Sequence, residues 1–303
     1  MQTAFWMEAK DGEAIYVQRW DSKTPPKLIL QLSHGMVEHI GRYDAFATYL
    51  TDYGITVYGN DHRGHGQTGL RQGRLGYFSA EQGFEKTTSD LHRLTSYIKK
   101  EHPNIPVVLL GHSMGSFFAR NYIQTYSDNI DALILSGTGY YTKTEARLGK
   151  ALSSILSPTE PSALMNWLSL GMNNKRIKHR RSKFDWLTTD AGMVQQFAND
   201  PLSGYVPTAR FFYDLMGLLH QVHDNKNNRA IRNDLPVLLI SGNADPVGSY
   251  GKGVWKTAHQ LTEAGLTNVT TMLFENGRHE MLNEKNRNEV YHILKNWLLF
   301  QVK

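Results

Sequence analysis

This sequence predicts an α/β fold: a mostly parallel central sheet of about eight strands, flanked by helices and carrying a helical insertion. Three observations lead there. Short apolar runs alternate with amphipathic stretches from the N-terminus to about residue 138, and that alternation calls for helical crossovers between parallel strands. The rhythm stops over residues 139–234 and resumes over 235–303. Several of the runs are apolar throughout, as strands covered on both faces must be.

Residues 5–8 and 14–20 read as two strands joined by a turn at Lys10-Asp11-Gly12. Pro25-Pro26 breaks the chain before a buried strand over 28–32. A loop over 34–39 leads to a helix over about 43–53, with Gly54 suited to its C-terminal cap, and 55–58 returns as strand. Residues 59–68 are too polar and glycine-rich for either element. A helix over about 80–101 carries Leu91, Leu94 and Ile98 on one face. Strand 107–110, helix 117–126 and strand 132–135 follow. After the insertion come strand 237–241, helix 251–264, strand 269–274 and helix 285–300.

The insertion shows only helical pattern, interrupted at Pro158, Pro161, Pro201 and Pro207. Its apolar residues include Leu164, Trp167, Leu168, Leu170 and Met172, and 211–216 continues the theme. The expectation is a cap over the sheet's C-terminal edge, lining an apolar pocket. A helical layer with no substrate role is the competing reading.

With 303 residues, 40% of them hydrophobic, the chain can bury one large core. Its 33 basic and 28 acidic residues nearly balance, and no zinc-finger, zipper or RNP-like pattern points to nucleic acid. No cysteine is present, which excludes disulfides, thiol catalysis and thiolate metal ligands and fits a reducing cytosol. Residues 1–13 lack the basic stub and apolar core of a secretory leader. No apolar run nears the roughly 20 residues of a membrane span. A soluble, cytoplasmic protein is expected.

Gly111-His112-Ser113-Met114-Gly115 stands between a strand and a helix, which puts Ser113 on a strand-to-helix turn. So sharp a turn leaves no room for side chains at Gly111 and Gly115. It exposes a hydroxyl at a helix N-terminus, where free N–H groups favour an oxyanion. Without chemistry, the same pattern is a tight turn.

A serine hydroxyl needs a base, and the base needs a partner that fixes its tautomer. Of 13 histidines, His279 in Asn276-Gly277-Arg278-His279-Glu280 follows the last strand and precedes the last helix. Asp245, in Asn243-Ala244-Asp245-Pro246, follows the preceding strand, although Asp-Pro also starts ordinary turns. The order Ser113, Asp245, His279 is that of nucleophile, acid and base in this sheet type. Two oxyanion donors are expected: the Met114 N–H, and the Met36 N–H in a loop that Gly35 lets approach closely.

His34-Gly35-Met36-Val37-Glu38-His39 with Arg42-Tyr43, Asp61-His62-Arg63-Gly64-His65-Gly66, the Ser113 turn and the His279 loop together resemble the monoacylglycerol lipase and lysophospholipase-like branch of the α/β-hydrolase fold, which is grouped with serine aminopeptidases. The resemblance covers both core segments and is weak in the insertion. It implies Ser113, Asp245 and His279 as a triad, Met36 and Met114 as oxyanion donors, 139–234 as lid, and no cofactor. The expected substrate is a small acyl ester or monoacyl lipid, with no obligate protein partner.

Other signals point elsewhere. His34, His39, His62 and His65 lack metal-ligand spacing. The basic run 175–183 reads as a solvated face of a cap helix, or as a transient contact with anionic lipid. An amide-cleaving aminopeptidase would need acids such as Glu160 or Asp200 facing the pocket. A third alternative is a binding protein that kept the fold and lost the chemistry.

Overall fold

The apolar runs form strands, most of them buried from end to end. A computed structural model describes residues 1–301. β1 (Gln2–Glu8) and β2 (Ala14–Trp20) form an antiparallel hairpin. β3 (Leu28–Ser33), β4 (Ile55–Asn60), β5 (Val107–His112), β6 (Ala132–Ser136), β7 (Val237–Gly242) and β8 (Val269–Phe274) complete the sheet. Its eight strands run in the order β1-β2-β4-β3-β5-β6-β7-β8, with β2 antiparallel to β4 and every later pairing parallel. The expected strand number and direction both hold.

The helices are α1 (Asp44–Thr51), α2 (Gly66–Arg71), α3 (Gly83–Glu101), α4 (Met114–Tyr126), α5 (Lys143–Ser154), α6 (Ala163–Leu170), α7 (Ala191–Asn199), α8 (Ala209–Val222), α9 (Asn225–Asn228), α10 (Lys252–Glu263) and α11 (Arg287–Phe300). Phe46 and Leu50 of α1 join Leu294 and Leu298 of α11 on one face of the sheet. Leu91, Leu94, Phe118, Ile123 and Leu261, from α3, α4 and α10, fill the other. Successive apolar residues on each strand point to opposite faces, so a run without polar gaps can feed both layers.

The chain steps one way along the sheet from β3 to β4 and then reverses, crossing back over β3 to reach β5 on its other side. Reversed crossovers leave a crevice at the C-terminal ends of β3 and β5. The 34–39 loop and Ser113 both open into it.

Helices α5 to α9 occupy the interval between β6 and β7. In α8, Phe211, Phe212, Leu215, Leu218 and Leu219 are buried at helical spacing, and the Thr208 hydroxyl accepts the Phe211 N–H at 3.2 Å as its N-cap. Arg120 of α4 fastens both ends of this excursion. Fully buried and without a carboxylate, it donates to Gly139 O at 3.2 Å, Val222 O at 3.2 Å and Gln260 Oε1 at 3.0 Å. Burial without a counter-ion lowers its pKa.

Three expectations need correction. The 59–68 stretch, expected to hold no regular element, contains the start of α2. Asp61 takes Gln67 N–H at 2.6 Å on Oδ2 and Ile40 N–H at 2.8 Å on Oδ1. A Cβ on Gly66 would lie 2.1 Å from that carboxylate, so glycine is there to let the acid approach. Helix α3 starts at Gly83 instead of residue 80, behind Gln82 in the left-handed region at φ +54°. The basic run 175–183 forms turns, not a helix face. Elsewhere the ends of elements differ by a few residues: α4 begins at Met114 rather than 117, and α1 follows a 3-10 turn at Ile40–Tyr43. Among the described residues no helix is long and apolar enough to cross a membrane.

Candidate active site

Parallel pairing brings the first two candidates together. In register, Ser33 of β3 stands opposite Gly111 of β5. A Cβ on Gly115 would lie 2.0 Å from Ser33 O, and one on Gly111 2.3 Å from Gly115 O. Glycine at both positions is therefore a steric condition of the turn. Ser113 sits at its apex with φ 51° and ψ −118°, a conformation costly for any side chain-bearing residue. Its N–H is anchored on Ser136 O at 2.9 Å. The residue is partly exposed, and its side chain makes no N-cap hydrogen bond, so the hydroxyl is not used by the helix.

Gly35 packs against this apex; a Cβ there would come within 3.2 Å of Ser113 Cβ. His34 orients the peptide that follows. Its Nε2 accepts the His62 N–H at 3.0 Å, so Nδ1 carries the proton and donates to Gly35 O at 2.8 Å. Burial, foremost, pulls this imidazole down to about 3 and keeps it neutral. With the Gly35 carbonyl held on one side, a trans peptide turns the Met36 N–H to the other. The N–H groups of Met36 and Met114 have no hydrogen-bond partner among the described residues, and both residues line the same cavity.

His279 and Asp245 meet as the sequence order predicts. His279 Nδ1 lies 3.0 Å from Asp245 Oδ2 and 3.1 Å from Oδ1. The carboxylate is itself fixed, accepting Ser241 Oγ–H at 2.9 Å and Val247 N–H at 2.8 Å. Both side chains are buried. Burial pulls the imidazole down; the Asp245 charge and hydrogen bond, with Glu280 and Glu38 behind them, outweigh it and raise the pKa above its ordinary 6.5. The Asp245 contact assigns the proton to Nδ1 and leaves Nε2 able to accept one. Ser113 and His279 line one cavity without a hydrogen bond between them among the described residues. Such bonds commonly tighten only when substrate is bound.

That cavity holds about 250 Å³. Met165, Leu168, Trp186, Phe197, Leu215 and Leu219 wall it from the insertion, and Phe117 of α4 from the core. Trp186 packs against His279 with ring centroids 4.9 Å apart and the ring planes tilted by 42°. The 185–189 segment is tied to the histidine loop: Glu280 N–H donates to Leu187 O at 2.7 Å, and Arg278 to Thr188 O at 3.0 Å.

Sequence reasoning placed Glu38, Arg42 and Glu280 in motifs without giving them work. They form a buried charge cluster in which Arg42 bridges the two acids, which stand on the cavity wall. Trp186 and Leu187 were missed altogether, because a loop between prolines and basic residues carries no periodic signal. Glu160 is exposed, and neither it nor Asp200 lines the cavity. Asp200 is engaged by His39 Nε2 at 2.8 Å and Ser203 Oγ at 2.6 Å.

A model of the family described as serine aminopeptidase, S33 matches residues 24–286. The monoglyceride lipase of Rattus norvegicus is 27% identical over 302 residues, covering 96% of this chain and 89% of that protein. The human monoglyceride lipase is 26% identical over 301 residues, with 95% and 88% covered. Among solved structures, a highly thermostable carboxyl esterase from Bacillus coagulans in complex with glycerol superimposes with a TM-score of 0.93 at 26% identity, covering 100% of this chain and 99% of that one. Two paired acid and imidazole loops, a strained serine turn and a family match over most of its length agree: the chain belongs to the serine aminopeptidase S33 family, on the α/β-hydrolase fold.

Proposed function

We propose that this protein is a serine hydrolase of carboxylic esters, with monoacyl lipids or short acyl esters as its substrate class and residues 139–234 as its cap. Ser113 Oγ attacks the ester carbonyl while His279 Nε2 takes its proton, and Asp245 holds the imidazolium that forms. The carbonyl oxygen, now an anion, receives the Met36 and Met114 N–H groups. Collapse expels the alcohol, which takes the proton from His279. Water, deprotonated by the same imidazole, then releases the acid and restores Ser113.

The observation that carries this reading is the pair of unpartnered N–H groups of Met36 and Met114, two residues that line an apolar cavity together with Ser113 and with His279, whose Nδ1 is held from behind by Asp245. Ester is favoured over peptide amide by the cavity's acids. A free α-amino group would need an unengaged carboxylate, and Glu38 and Glu280 are both paired with Arg42. Glu145 is exposed and accepts the Thr142 N–H at 2.7 Å in a capping box. The relatives named as monoglyceride lipases support the lipid substrate.

The test is a fluorophosphonate probe followed by peptide mapping, beside p-nitrophenyl esters of graded chain length and aminoacyl arylamides. Labelling at Ser113 and preferential ester cleavage are expected. An unlabelled Ser113 in folded protein would return the chain to the binding-protein alternative, and faster arylamide cleavage would make it an amidase.

We further propose that the cap rests on anionic lipid while it takes up substrate. Leu164, Trp167, Leu168 and Met172 are about half exposed, at 48%, 57%, 48% and 52%, and Leu168 also lines the cavity. The exposed lysines and arginines of 175–183 follow directly in sequence. Apolar insertion beside a cationic stretch suits an anionic surface, each basic residue adding about 1 kcal/mol near it. Co-sedimentation with vesicles containing phosphatidylglycerol is expected to exceed that with phosphatidylcholine alone and to fall in high salt and on Trp167→Ser. Equal binding to both vesicles would remove the electrostatic part of the proposal.

A further inference from the structure

Val37 is the point of strain next to the proposed oxyanion donor. Its φ is +52°, and a β-branched residue in the left-handed region is a rare outlier that the surroundings must hold in place. Met36 directly precedes it, so the direction of the Met36 N–H depends on this turn keeping its shape.

The restraint is visible in the Glu38 carboxylate. Oε1 accepts the Gly35 N–H at 2.5 Å and the Tyr43 hydroxyl at 2.9 Å, closing the Gly35-Met36-Val37 turn across its base. Oε2 accepts Arg42 Nη1. The same guanidinium then reaches Glu280 through two parallel bonds, Nη1 to Oε1 and Nη2 to Oε2, each at 2.7 Å. Glu280 is the residue after His279. Arg42, Glu38 and Glu280 side chains are only 10%, 4% and 5% exposed. A planar fork bonded to two carboxylates fixes direction as well as distance, which a flexible ammonium does not.

We infer that Arg42, clasped between Glu38 and Glu280, is a positioning residue that locks the strained oxyanion turn to the loop bearing His279, so that the two halves of the site keep one relative geometry. The inference rests on the hydrolase reading above. It assigns Arg42 and its two acids no contact with the reacting atoms. Their work is to keep a donor and a base, contributed by loops more than 200 residues apart (Arg42 and Glu280 are separated by 238 positions), aligned on one carbonyl.

The test compares wild-type protein with Glu280→Gln, Arg42→Lys, Val37→Gly and the double variant Val37→Gly/Glu280→Gln, using p-nitrophenyl ester kinetics, thermal midpoints and amide exchange of the peptide covering 33–42. Glu280→Gln and Arg42→Lys are expected to lower kcat roughly 30- to 100-fold with KM within about twofold, the signature of alignment lost in the transition state. Exchange across the turn should rise, because the Glu38 carboxylate that accepts the Gly35 N–H is no longer anchored through the guanidinium to Glu280. Glycine adopts φ +52° without strain, so Val37→Gly should restore about tenfold of the kcat lost in Glu280→Gln. A purely structural role predicts the opposite, since deleting a buried valine would compound the damage. Native kcat in Glu280→Gln or Arg42→Lys, unchanged exchange in both, or a double variant worse than Glu280→Gln would each overturn the inference. If the wild-type enzyme cleaves no ester and Ser113 takes no label, the hydrolase reading fails instead, and the exchange measurement still decides whether the clamp exists.

Discussion

Ser113→Gly is expected to abolish ester turnover and at the same time to make the protein more stable. The activity loss follows from removing the only hydroxyl at the apex of the turn. Loss of a serine nucleophile that works with a histidine base typically costs about 10⁶ in kcat, because the remaining groups cannot act alone. The stability gain follows from the backbone. At φ 51° and ψ −118°, a residue with a Cβ carries about 1–3 kcal/mol of strain, and glycine carries almost none. The extra chain entropy of an unfolded glycine offsets about 0.5–1 kcal/mol of the relief. The serine side chain gives no cap bond to α4 that would be lost. A net gain of about 1 kcal/mol in denaturant unfolding is therefore expected, with no turnover above background. Ser113→Ala should lose activity equally and gain no stability, since alanine keeps the strain. A destabilised glycine variant would show that the serine side chain holds the turn instead of straining it.

Asp245→Asn should lower kcat by about 10⁴ and shift the acid limb of the pH profile downward. His279 must be neutral to accept the Ser113 proton, so activity falls as pH drops through its pKa. In the native site burial is the largest single influence and pulls that pKa down, but the Asp245 charge and hydrogen bond, with Glu280 and Glu38 behind them, together outweigh it and raise the pKa above 6.5. Neutralising the carboxylate leaves burial dominant, and burial disfavours the imidazolium. The limb should therefore fall below 6.5 even though the plateau is far lower. The same linkage has a stability consequence. A raised folded-state pKa stabilises the fold at pH below the unfolded value near 6.5, and that contribution fades as pH rises through the higher folded value. The pH dependence of kcat/KM for both proteins checks the sign. An acid limb that stays in place would mean that another acid, such as Glu280, sets the His279 pKa.

Much of the site was legible because its signals are local. Gly111 and Gly115 mark a turn that only glycine admits, and Asp245 and His279 each stand just behind an apolar run that could be read as a strand. The same local logic failed at 59–68, where Gly66, taken with its neighbours as a sign of a loop, is instead the space into which Asp61 fits to hold the first turn of α2. The insertion was legible as helical, and its exposed Trp167 and Leu168 were foreseeable as apolar groups without an obvious core. That Trp186 packs against His279 was not, since nothing in its neighbourhood repeats with a period.

From the chain alone came the alternation of strand and helix, the interruption at 139–234 and the order of Ser113, Asp245 and His279, because periodicity and turn chemistry act over a few residues. The strand order, with its reversal between β3 and β5, came only from the folded molecule, and so did the Arg42 bridge from Glu38 to Glu280 and the closing of the cavity by Leu215 and Phe197. Those depend on which buried surfaces and which desolvated charges find each other across hundreds of residues, a competition settled by packing and not by any local pattern.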